Sequence, residues 1–462
     1  MTLVMNTLED TIIAISTPAG RGGLGIVRLS GQRALAVAKK FFKPRKKPWV
    51  DVRPRNVVLG DIYNYEKKEF IDEAYLAFFA GAGSYTREDM VEISCHGSPV
   101  VLEEVVRLGI RAGARPAHPG EFTLRAYLHG RIDILQAEAV NDLISAESLE
   151  QAKISFGQVR GRLSNRIQGM RRRFVELLSQ IEAAIEFPEE GLRLSPAKIA
   201  RSLEAVISDV KTLVSSYERG RTLREGLTLA ITGRANVGKS TLFNALLDED
   251  RAIVSPYPGT TRDYLRETIN IKDSLFHLID MAGLERPSHP VEKESIKRSR
   301  ELASRADGIL LVLDSSRPET KTDLDLIRRF RDKRMILLFN KSDLAQKIDK
   351  RRCRAANARS QALEISALKG SNLNRLRDMI HDTYVPTEKF EEEVILHLRQ
   401  KILLERILDC LEQGLKLLRE GHSEEVCAEE IGRALPFISE LTGEIRAEDV
   451  IENIFSRFCV GK

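Results

Sequence analysis

The stretch 229-LAITGRANVGKSTLFNAL-246 decides the fold of the central part of the chain. An apolar strand leads into Gly-x-x-x-x-Gly-Lys-Ser at Gly233–Ser240, and an apolar-periodic helix follows. The glycines let backbone N–H groups turn inward around phosphate oxygens, while Lys239 reaches the β- and γ-phosphates and Ser240 ligates Mg²⁺. Because strand, loop and helix follow in the required order, the stretch predicts a P-loop nucleotide-binding domain.

The chain divides into segments with three different residue patterns. Short β-rich runs with Gly- and Pro-containing turns fill residues 1–130 and predict an α+β domain. Apolar residues at helical spacing fill 131–221 and 387–462, including one long pattern over 132–152. Apolar strands alternate with helices over 222–386, which predicts a mostly parallel sheet. We therefore expect a multidomain α/β protein in which a Ras-like GTPase domain is inserted into a helical domain.

The composition excludes several classes of protein. The 462 residues are 42% hydrophobic and 30% charged, with a net charge of +5, which fits a globular chain and permits a polyanionic partner without requiring one. The five cysteines are odd in number and form no CxxC, so they indicate neither a disulfide framework nor a zinc site. No basic signal peptide or bilayer-length apolar run occurs. We expect a cytoplasmic protein that does not enter a membrane.

The base is selected by Asn340-Lys341-Ser342-Asp343, which follows the apolar run "LLF". A carboxylate at Asp343 can accept both N1–H and the exocyclic N2–H₂ of guanine, a donor pair that adenine lacks. The alternative is that Asp343 only caps a helix. Downstream, Ser366, Ala367 and Leu368 are placed to contact the base through their backbone. The combination with the P-loop predicts GTP rather than ATP.

Two further segments are candidate switches. "DMAG" at 280–283 follows a strand, so Asp280 can hold Mg²⁺ through water and the Gly283 N–H can meet the γ-phosphate. In "GTTRD" at 259–263, Thr261 is the predicted second Mg²⁺ ligand. Leu284 stands where Ras-like enzymes place a water-orienting Gln, so this domain either hydrolyses GTP slowly or uses another source of charge and positioning. The predicted nucleotide contacts are Asn236, Val237, Gly238, Lys239, Ser240, Thr241, Ser255, Thr260, Thr261, Asp280, Gly283, Asn340, Lys341, Asp343, Ser366, Ala367 and Leu368.

The whole chain resembles the MnmE (TrmE) family of tRNA modification GTPases. The resemblance rests on "DTIIAISTPAGRGGLGIVRLSG", "SYTREDMVEISCHG", "HPGEFTLRAYLHGRIDILQAEAVNDLI", "GRANVGKSTL", "GTTRD", "NKSD" and the closing "FCVGK", in this order. It implies a homodimer whose N-terminal domain, which also mediates dimerisation, binds a tetrahydrofolate in its 5,10-methylene or 5-formyl form. It also implies a flavin-dependent partner, MnmG, with which a carboxymethylaminomethyl-type group is added to C5 of the wobble uridine of certain tRNAs.

The resemblance supplies an answer to the missing Gln. It implies a K⁺ ion whose ligands are Asn236, Ser255, Tyr257 and Thr260, and a catalytic glutamate at Glu292. Without it, Asn236 is a loop-capping amide and Glu292 is surface charge. Pro256 and Pro258 stiffen this loop, and Met281 and Glu285 replace the family's usual Thr and Arg, so potassium dependence is expected less firmly than GTP binding.

Carried onto the N-terminal domain, the resemblance places folate contacts at Arg28, Glu92 and Arg131, with Lys462 from the tail. A carboxylate suits pterin N–H groups and cations suit the acidic end of a folate; the alternative is ordinary surface charge. Arg131 stands where the family usually has Lys, and Arg87 replaces a usual Gly. The resemblance also implies that Cys459 is a reactive thiol beside the one-carbon donor, whereas without it a free Cys fits a small buried hydrophobe.

Two other functions compete with this interpretation. A ribosome-assembly GTPase acting as a switch would need only the P-loop, "GTTRD" and "NKSD", but no KH-type GXXG or RRM aromatic motif is present. A prenylated membrane switch depends only on the tail, where Cys459 occupies the position of a C-a-a-X cysteine but Lys462 is a poor terminal residue.

Overall fold

A computed structural model of the chain describes residues 10–45, 49, 52–186, 195–250, 266–281, 306–385, 394–444 and 448–462. They belong to two compact units. The first unit is Met1–Ser145 with Ser155–Lys211 and Ile402–Lys462, and the second is Ala146–Ile154 with Thr212–Lys401. Within the described ranges, no helix combines the length and the apolar character needed to cross a bilayer.

The secondary-structure elements are numbered in chain order. The strands are β1 Ile12–Ile15, β2 Gly22–Ser30, β3 Phe42–Pro44, β4 Val57–Asn64, β5 Glu69–Phe79, β6 Met90–Gly97, β7 Arg115–Pro116, β8 Leu227–Thr232, β9 Arg266–Ile271, β10 Ser274–Asp280, β11 Gly308–Asp314, β12 Met335–Asn340 and β13 Gln361–Glu364. The helices are α1 Ala34–Phe41, α2 Pro99–Arg111, α3 Glu121–Leu128, α4 Ile134–Ile144, α5 Leu149–Val159, α6 Arg162–Glu186, α7 Pro196–Glu225, α8 Lys239–Asp250, α9 Lys321–Arg329, α10 Lys350–Ala356, α11 Leu373–Tyr384, α12 Leu398–Arg419, α13 Glu424–Gly432, α14 Leu435–Thr442 and α15 Glu448–Phe455.

The sheet of the first unit has the order β3-β4-β5-β6-β2-β1-β7. Its pairs are antiparallel except for β1 with β7. Helices α1 and α2 cover one face, and Leu102, Val105 and Leu108 of α2 are buried at helical spacing in the same apolar cluster as β2, β5 and β6. The register places Arg28 of β2 opposite Glu92 of β6 on the other face. That pair lies in the first candidate site described below.

The sheet of the second unit has the order β13-β12-β11-β8-β10-β9 and is parallel except for the β9–β10 hairpin. Every residue of β11 and β12 is buried, as expected for central parallel strands covered on both sides. Leu229 and Ile231 of β8 belong to one apolar cluster, and Ala230 belongs to another. Because parallel strands end at the same edge, the carboxyl ends of β8, β10, β11 and β12 come together there.

The structure confirms the predicted multidomain α/β class and changes some details. The sequence shows one long helical pattern over 132–152, which the structure divides into two helices, because α4 ends at Ile144 and α5 begins at Leu149. Ser148 explains the new start, because its Oγ accepts a hydrogen bond from the Gln151 N–H at 3.2 Å, as a helix-capping serine does. The β9–β10 hairpin was also not foreseen from the sequence.

Candidate functional site

The P-loop follows β8 and leads into α8 at the carboxyl edge of the sheet of the second unit. Gly238 has φ +100°, and a Cβ there would lie 2.3 Å from Asn340 Nδ2, so no larger residue fits. The Lys239 ammonium group is buried and donates to the carbonyl oxygens of Gly233 at 2.6 Å and Arg234 at 2.8 Å. The loop therefore curves around a cation that can meet phosphate oxygens.

Ser240, a predicted Mg²⁺ ligand, contacts Asp280, which is predicted to hold the ion through water. The Ser240 hydroxyl, in the first turn of α8, donates to Asp280 Oδ2 at the end of β10 over 2.9 Å. Oxygen donors from a hydroxyl and a carboxylate at this spacing suit Mg²⁺, which prefers hard oxygen ligands and retains several waters. These two residues fit the ion; the other predicted ligand, Thr261, lies outside the described residues.

The "NKSD" motif connects the end of β12 to the P-loop. Asn340 Nδ2 donates to the Val237 carbonyl at 2.8 Å, and its Oδ1 accepts from the Ala367 N–H at 2.9 Å. Lys341 Nζ donates to the Asn236 carbonyl at 3.1 Å and pairs with Asp314 Oδ2 at 2.6 Å. The base-reading and phosphate-binding segments are thus held in one arrangement by side chain–backbone hydrogen bonds.

A cavity of about 750 Å³ lies between these segments. Its lining is Ala235, Asn236, Gly238, Lys239, Ser240, Thr241, Asn340, Lys341, Asp343, Leu344, Ser366 and Leu368. Within it, a hydrogen bond from the Ser366 side chain holds the pKa of Asp343 below its usual value. The carboxylate is therefore ionised at neutral pH, as required to accept two N–H groups of guanine.

Not every residue singled out in the sequence lines this cavity. Val237 is buried under the loop, and Met281 packs into the apolar cluster beside β8, β10 and β11. Asn236 lines the cavity with φ +63°. The predictions for Ser255, Tyr257, Thr260, Thr261, Gly283 and Glu292, like those concerning Pro256, Pro258, Leu284 and Glu285, fall outside the described residues and stay predictions.

Two ion pairs of the P-loop region were missed in the sequence. Arg234 Nε donates to Asp323 Oδ1 at 2.8 Å, and Asp323 also completes the capping box that begins α9. Asp314, the partner of Lys341, ends the apolar run "GILLVL". A carboxylate at the carboxyl end of a buried parallel strand was the available signal for Asp314. Nothing in the spacing connects Asp323 with Arg234.

The second candidate site lies in the first unit, where the C-terminal tail packs against the N-terminal sheet. Val460 forms a β-bridge with Pro119, and the carbonyls of Cys459 and Lys462 accept hydrogen bonds from the N–H groups of Gly120 at 3.4 Å and Phe122 at 3.1 Å. Phe122 lies in the first turn of α3, where backbone N–H groups have no partner within the helix. The tail therefore caps α3.

Arg28, Glu92 and Lys462 come together at this tail. Arg28 pairs with Glu92 at 2.8 Å and donates to the Gly461 carbonyl at 3.3 Å. Burial lowers the pKa of Lys462, and the positive charge of Arg28 lowers it further, against the opposing effect of Glu92. Cys459 is exposed three residues earlier. It lies close enough to Lys462 to raise the pKa of that ammonium group, so the tail brings the thiol near one of the predicted folate contacts.

Arg131, the fourth, is connected to this group through Tyr85. Its guanidinium lies 5.6 Å from the Tyr85 ring centre, and Arg28 lies 5.6 Å from the ring centre of Phe122. Burial raises the pKa of Tyr85, a hydrogen bond with Thr123 opposes this, and the charges of Arg28 and Arg131 lower it. Tyr85 and Phe122 were missed, because single aromatic residues beside turns carry no pattern of their own. A carboxylate, three cations and two aromatic rings fit a pterin with an acidic end.

Comparison with known proteins supports one family. A model described as the MnmE helical domain matches residues 134–459, and one described as the GTP-binding protein TrmE N-terminus matches residues 11–131. The tRNA modification GTPase MnmE of Thermotoga maritima is 38% identical over 456 residues, which cover 98% of this chain and 100% of the relative. The protein of the same name from Thermoanaerobacter pseudethanolicus is 40% identical over 457 residues, covering 98% and 99%.

Solved structures match only in part. The G domain of the FeoB iron transporter of Thermotoga maritima is 29% identical and covers 34% of this chain and 98% of that one, with a TM-score of 0.26. Era of Aquifex aeolicus, bound to GDP and AlF₄⁻, is 26% identical and covers 40% and 66%, with a TM-score of 0.28. The two family models and the nearly full-length relatives show that the chain belongs to the MnmE (TrmE) family of tRNA modification GTPases.

Proposed function

We propose that this GTPase acts in tRNA modification together with a flavin-dependent partner of the MnmG type. The pair adds a carboxymethylaminomethyl-type group to C5 of the wobble uridine of certain tRNAs in the cytoplasm, with a tetrahydrofolate as one-carbon donor. The observation that carries the proposal is the 38–40% identity to tRNA modification GTPases over 98% of the chain. The N-terminal domain mediates homodimer formation.

The polar residues in and beside the cavity have distinct roles toward the nucleotide. Asp343 accepts the two N–H groups of guanine, and Asn340 and Lys341 keep the P-loop and the base-reading segment together. Lys239 meets the β- and γ-phosphates. Ser240 and Thr261 would ligate Mg²⁺ and Asp280 would support it through water, and the ion would supply positive charge at the phosphates.

Leu284 cannot orient water, so hydrolysis needs another source of charge and positioning. We assign the charge to K⁺ held by Asn236 with Ser255, Tyr257 and Thr260, and the positioning of water to Glu292. The position of Asn236 in the lining of the cavity supports this. GTP hydrolysis should be faster in KCl than in NaCl, and Asn236→Gly should remove the difference.

Glycine is the appropriate substitution because Asn236 has φ +63°, which glycine adopts without strain. Asn244→Gly, at an exposed position of α8 outside the lining of the cavity, is the control for loss of an amide side chain in the same domain. Equal rates of the wild-type enzyme in both salts would refute the potassium proposal and leave GTP binding unaffected.

At the second site, Arg28, Glu92, Arg131 and Lys462 hold the folate, and Cys459 is the reactive thiol beside it. The convergence of these residues in the first unit supports the proposal. Cys459→Ser is expected to keep GTP hydrolysis and to lose wobble-uridine modification. Normal modification by this variant would refute the chemical role of Cys459.

A ribosome-assembly switch remains the alternative in another class. Affinity purification of the tagged full-length chain separates the two functions. Recovery of a flavoprotein supports the modification complex, whereas recovery of ribosomal subunits without a flavoprotein supports the switch.

A further inference from the structure

Three exposed arginines meet at one loop of the N-terminal domain, residues 81–87, which lies between β5 and β6 and contains Arg87 itself. Arg131 Nη1 donates to the Ser84 carbonyl at 3.0 Å. Arg87 Nη1 donates to the His129 carbonyl at 2.9 Å. A Cβ placed on Gly83 would lie 3.2 Å from Arg55 Nη2. The three guanidinium groups therefore share one small surface, which we call the arginine cluster: Arg55, Arg87 and Arg131.

Among the described residues, no acidic side chain compensates the charge of this cluster. In the part of the chain that the structure describes, the hydrogen bonds of Arg87 and Arg131 go to backbone carbonyls, and no carboxylate pairs with any of the three. Guanidinium groups in this state are suited to bidentate binding of carboxylates. By contrast, Arg28 and Arg115 of the same unit each have an acidic partner.

Two of the three arginines also have a strained backbone. Arg55 has φ +67° and Arg87 has φ +60°. Glycine adopts this left-handed region without strain, whereas an arginine there is strained. Arginine at such positions costs conformational free energy, and a strained residue is a reason to look for a function of its side chain.

The cluster continues directly from the proposed folate site, because Arg131 belongs to both. Arg28 pairs with Glu92 in that site, and the charges of Arg28 and Arg131 both act on Tyr85. Arg87 reaches the turn at His129 and Gly130 that precedes Arg131, and Arg55 lies against Gly83, next to the Ser84 carbonyl that Arg131 contacts. If the pterin meets Glu92, the glutamate end of the folate points toward Arg131, and any further glutamates extend over Arg87 and Arg55.

We propose that the arginine cluster binds the additional γ-linked glutamates of a polyglutamylated tetrahydrofolate, so that the chain prefers this form over the monoglutamate. The inference rests on the proposed folate function. Each added glutamate brings one α-carboxylate, which matches these guanidinium groups, for which the described residues supply no carboxylate partner. The preference is electrostatic and therefore decreases with increasing salt.

Calorimetric titration of the purified full-length protein tests this with 5-formyltetrahydrofolate carrying one or three glutamates. The wild-type protein should bind the triglutamate about tenfold more tightly. The double variant Arg55→Gly, Arg87→Gly removes both strain and charge, so it should fold, bind the monoglutamate as before and lose the preference. Lys68→Gly is the matched control, because Lys68 is an exposed cation of the same domain with φ +57°, in the β4–β5 turn.

The outcomes separate the inference from the function on which it rests. Equal affinity of the wild-type protein for the two folates overturns the inference and leaves folate binding standing. If the wild-type protein binds neither folate, both the inference and the proposed folate function are overturned. A double variant that keeps the triglutamate preference but binds tRNA more weakly identifies the cluster as a contact to the tRNA backbone and also overturns the inference.

Discussion

Gly461→Ala is the substitution that most directly tests whether the tail is part of the N-terminal site. Gly461 has φ +97°, and a Cβ there would lie 2.2 Å from the Ile15 carbonyl oxygen, a distance at which the backbone must move. Its own carbonyl accepts hydrogen bonds from Ser16 Oγ at 3.1 Å and Arg28 Nη1 at 3.3 Å. An alanine therefore strains the backbone and displaces the carbonyl on which two contacts depend.

The magnitude follows from the contacts that are lost. Two hydrogen bonds to Gly461 and one from the Phe122 N–H to the Lys462 carbonyl are each worth about 1 kcal/mol, so undocking of the tail becomes easier by about 3 kcal/mol. This corresponds to roughly a hundredfold increase in the open population. Because the Phe122 amide loses its acceptor, its protection against hydrogen exchange should fall by the same factor.

Hydrogen exchange with mass spectrometry of peptides from the start of α3 and from the tail measures this effect. Gly113→Ala is the control, because Gly113 has φ +109° in the same unit but no atom lies within 4 Å of its added Cβ. Gly113→Ala should leave the protection of Phe122 at the wild-type value. If Gly461→Ala also does so, the tail is not held by the contacts described here, and its place in the folate site is refuted.

Two further predictions concern the base and the buried charges. Asp343→Asn should weaken GTP binding at least tenfold and favour xanthosine triphosphate, whose C2 carbonyl accepts a hydrogen bond from an amide. Competition with a fluorescent nucleotide measures this selectivity, and unchanged selectivity would refute the role of Asp343. Burial would raise the pKa values of Asp10 and Glu121, but Arg115 and Arg125 outweigh burial and hold both below 3.8 and 4.5, respectively. The stability that these carboxylates contribute is therefore present above those values and is lost as pH falls through the lower folded-state pKa values. Pulse-labelling hydrogen exchange should show β1 opening below about pH 4.5. Asp10→Asn should reduce this pH dependence. A pH-independent β1 would contradict this.

The nucleotide-binding part of the fold could be predicted because its signals are local. The apolar runs that became β8, β10, β11, β12 and β13 are visible in the sequence, and the P-loop marks the switch from strand to helix. β9 was missed because its buried residues, Ile269 and Ile271, alternate over only six residues, and its turn uses Lys272 and Asp273 at positive φ instead of glycine.

The N-terminal site could be predicted only through the family resemblance. Arg28 and Glu92 are 64 residues apart and meet through strand register, and Lys462 joins them only because the tail packs on β1 and α3. Neither secondary-structure propensity nor residue spacing predicts such long-range pairing. Charge compensation is equally invisible in a sequence, so the arginine cluster emerged only from the geometry.

Nucleoside analysis of tRNA tests the central claim most directly. A bacterial strain that lacks its own gene of this family would receive the present chain, its Cys459→Ser variant or an empty vector, and total tRNA would be digested and examined by mass spectrometry. The account predicts that the wild-type chain restores 5-carboxymethylaminomethyluridine or its derivatives and that the Cys459→Ser variant and the vector do not. A folded, GTP-hydrolysing wild-type chain that leaves the wobble uridine unmodified in the presence of the flavoprotein would contradict it.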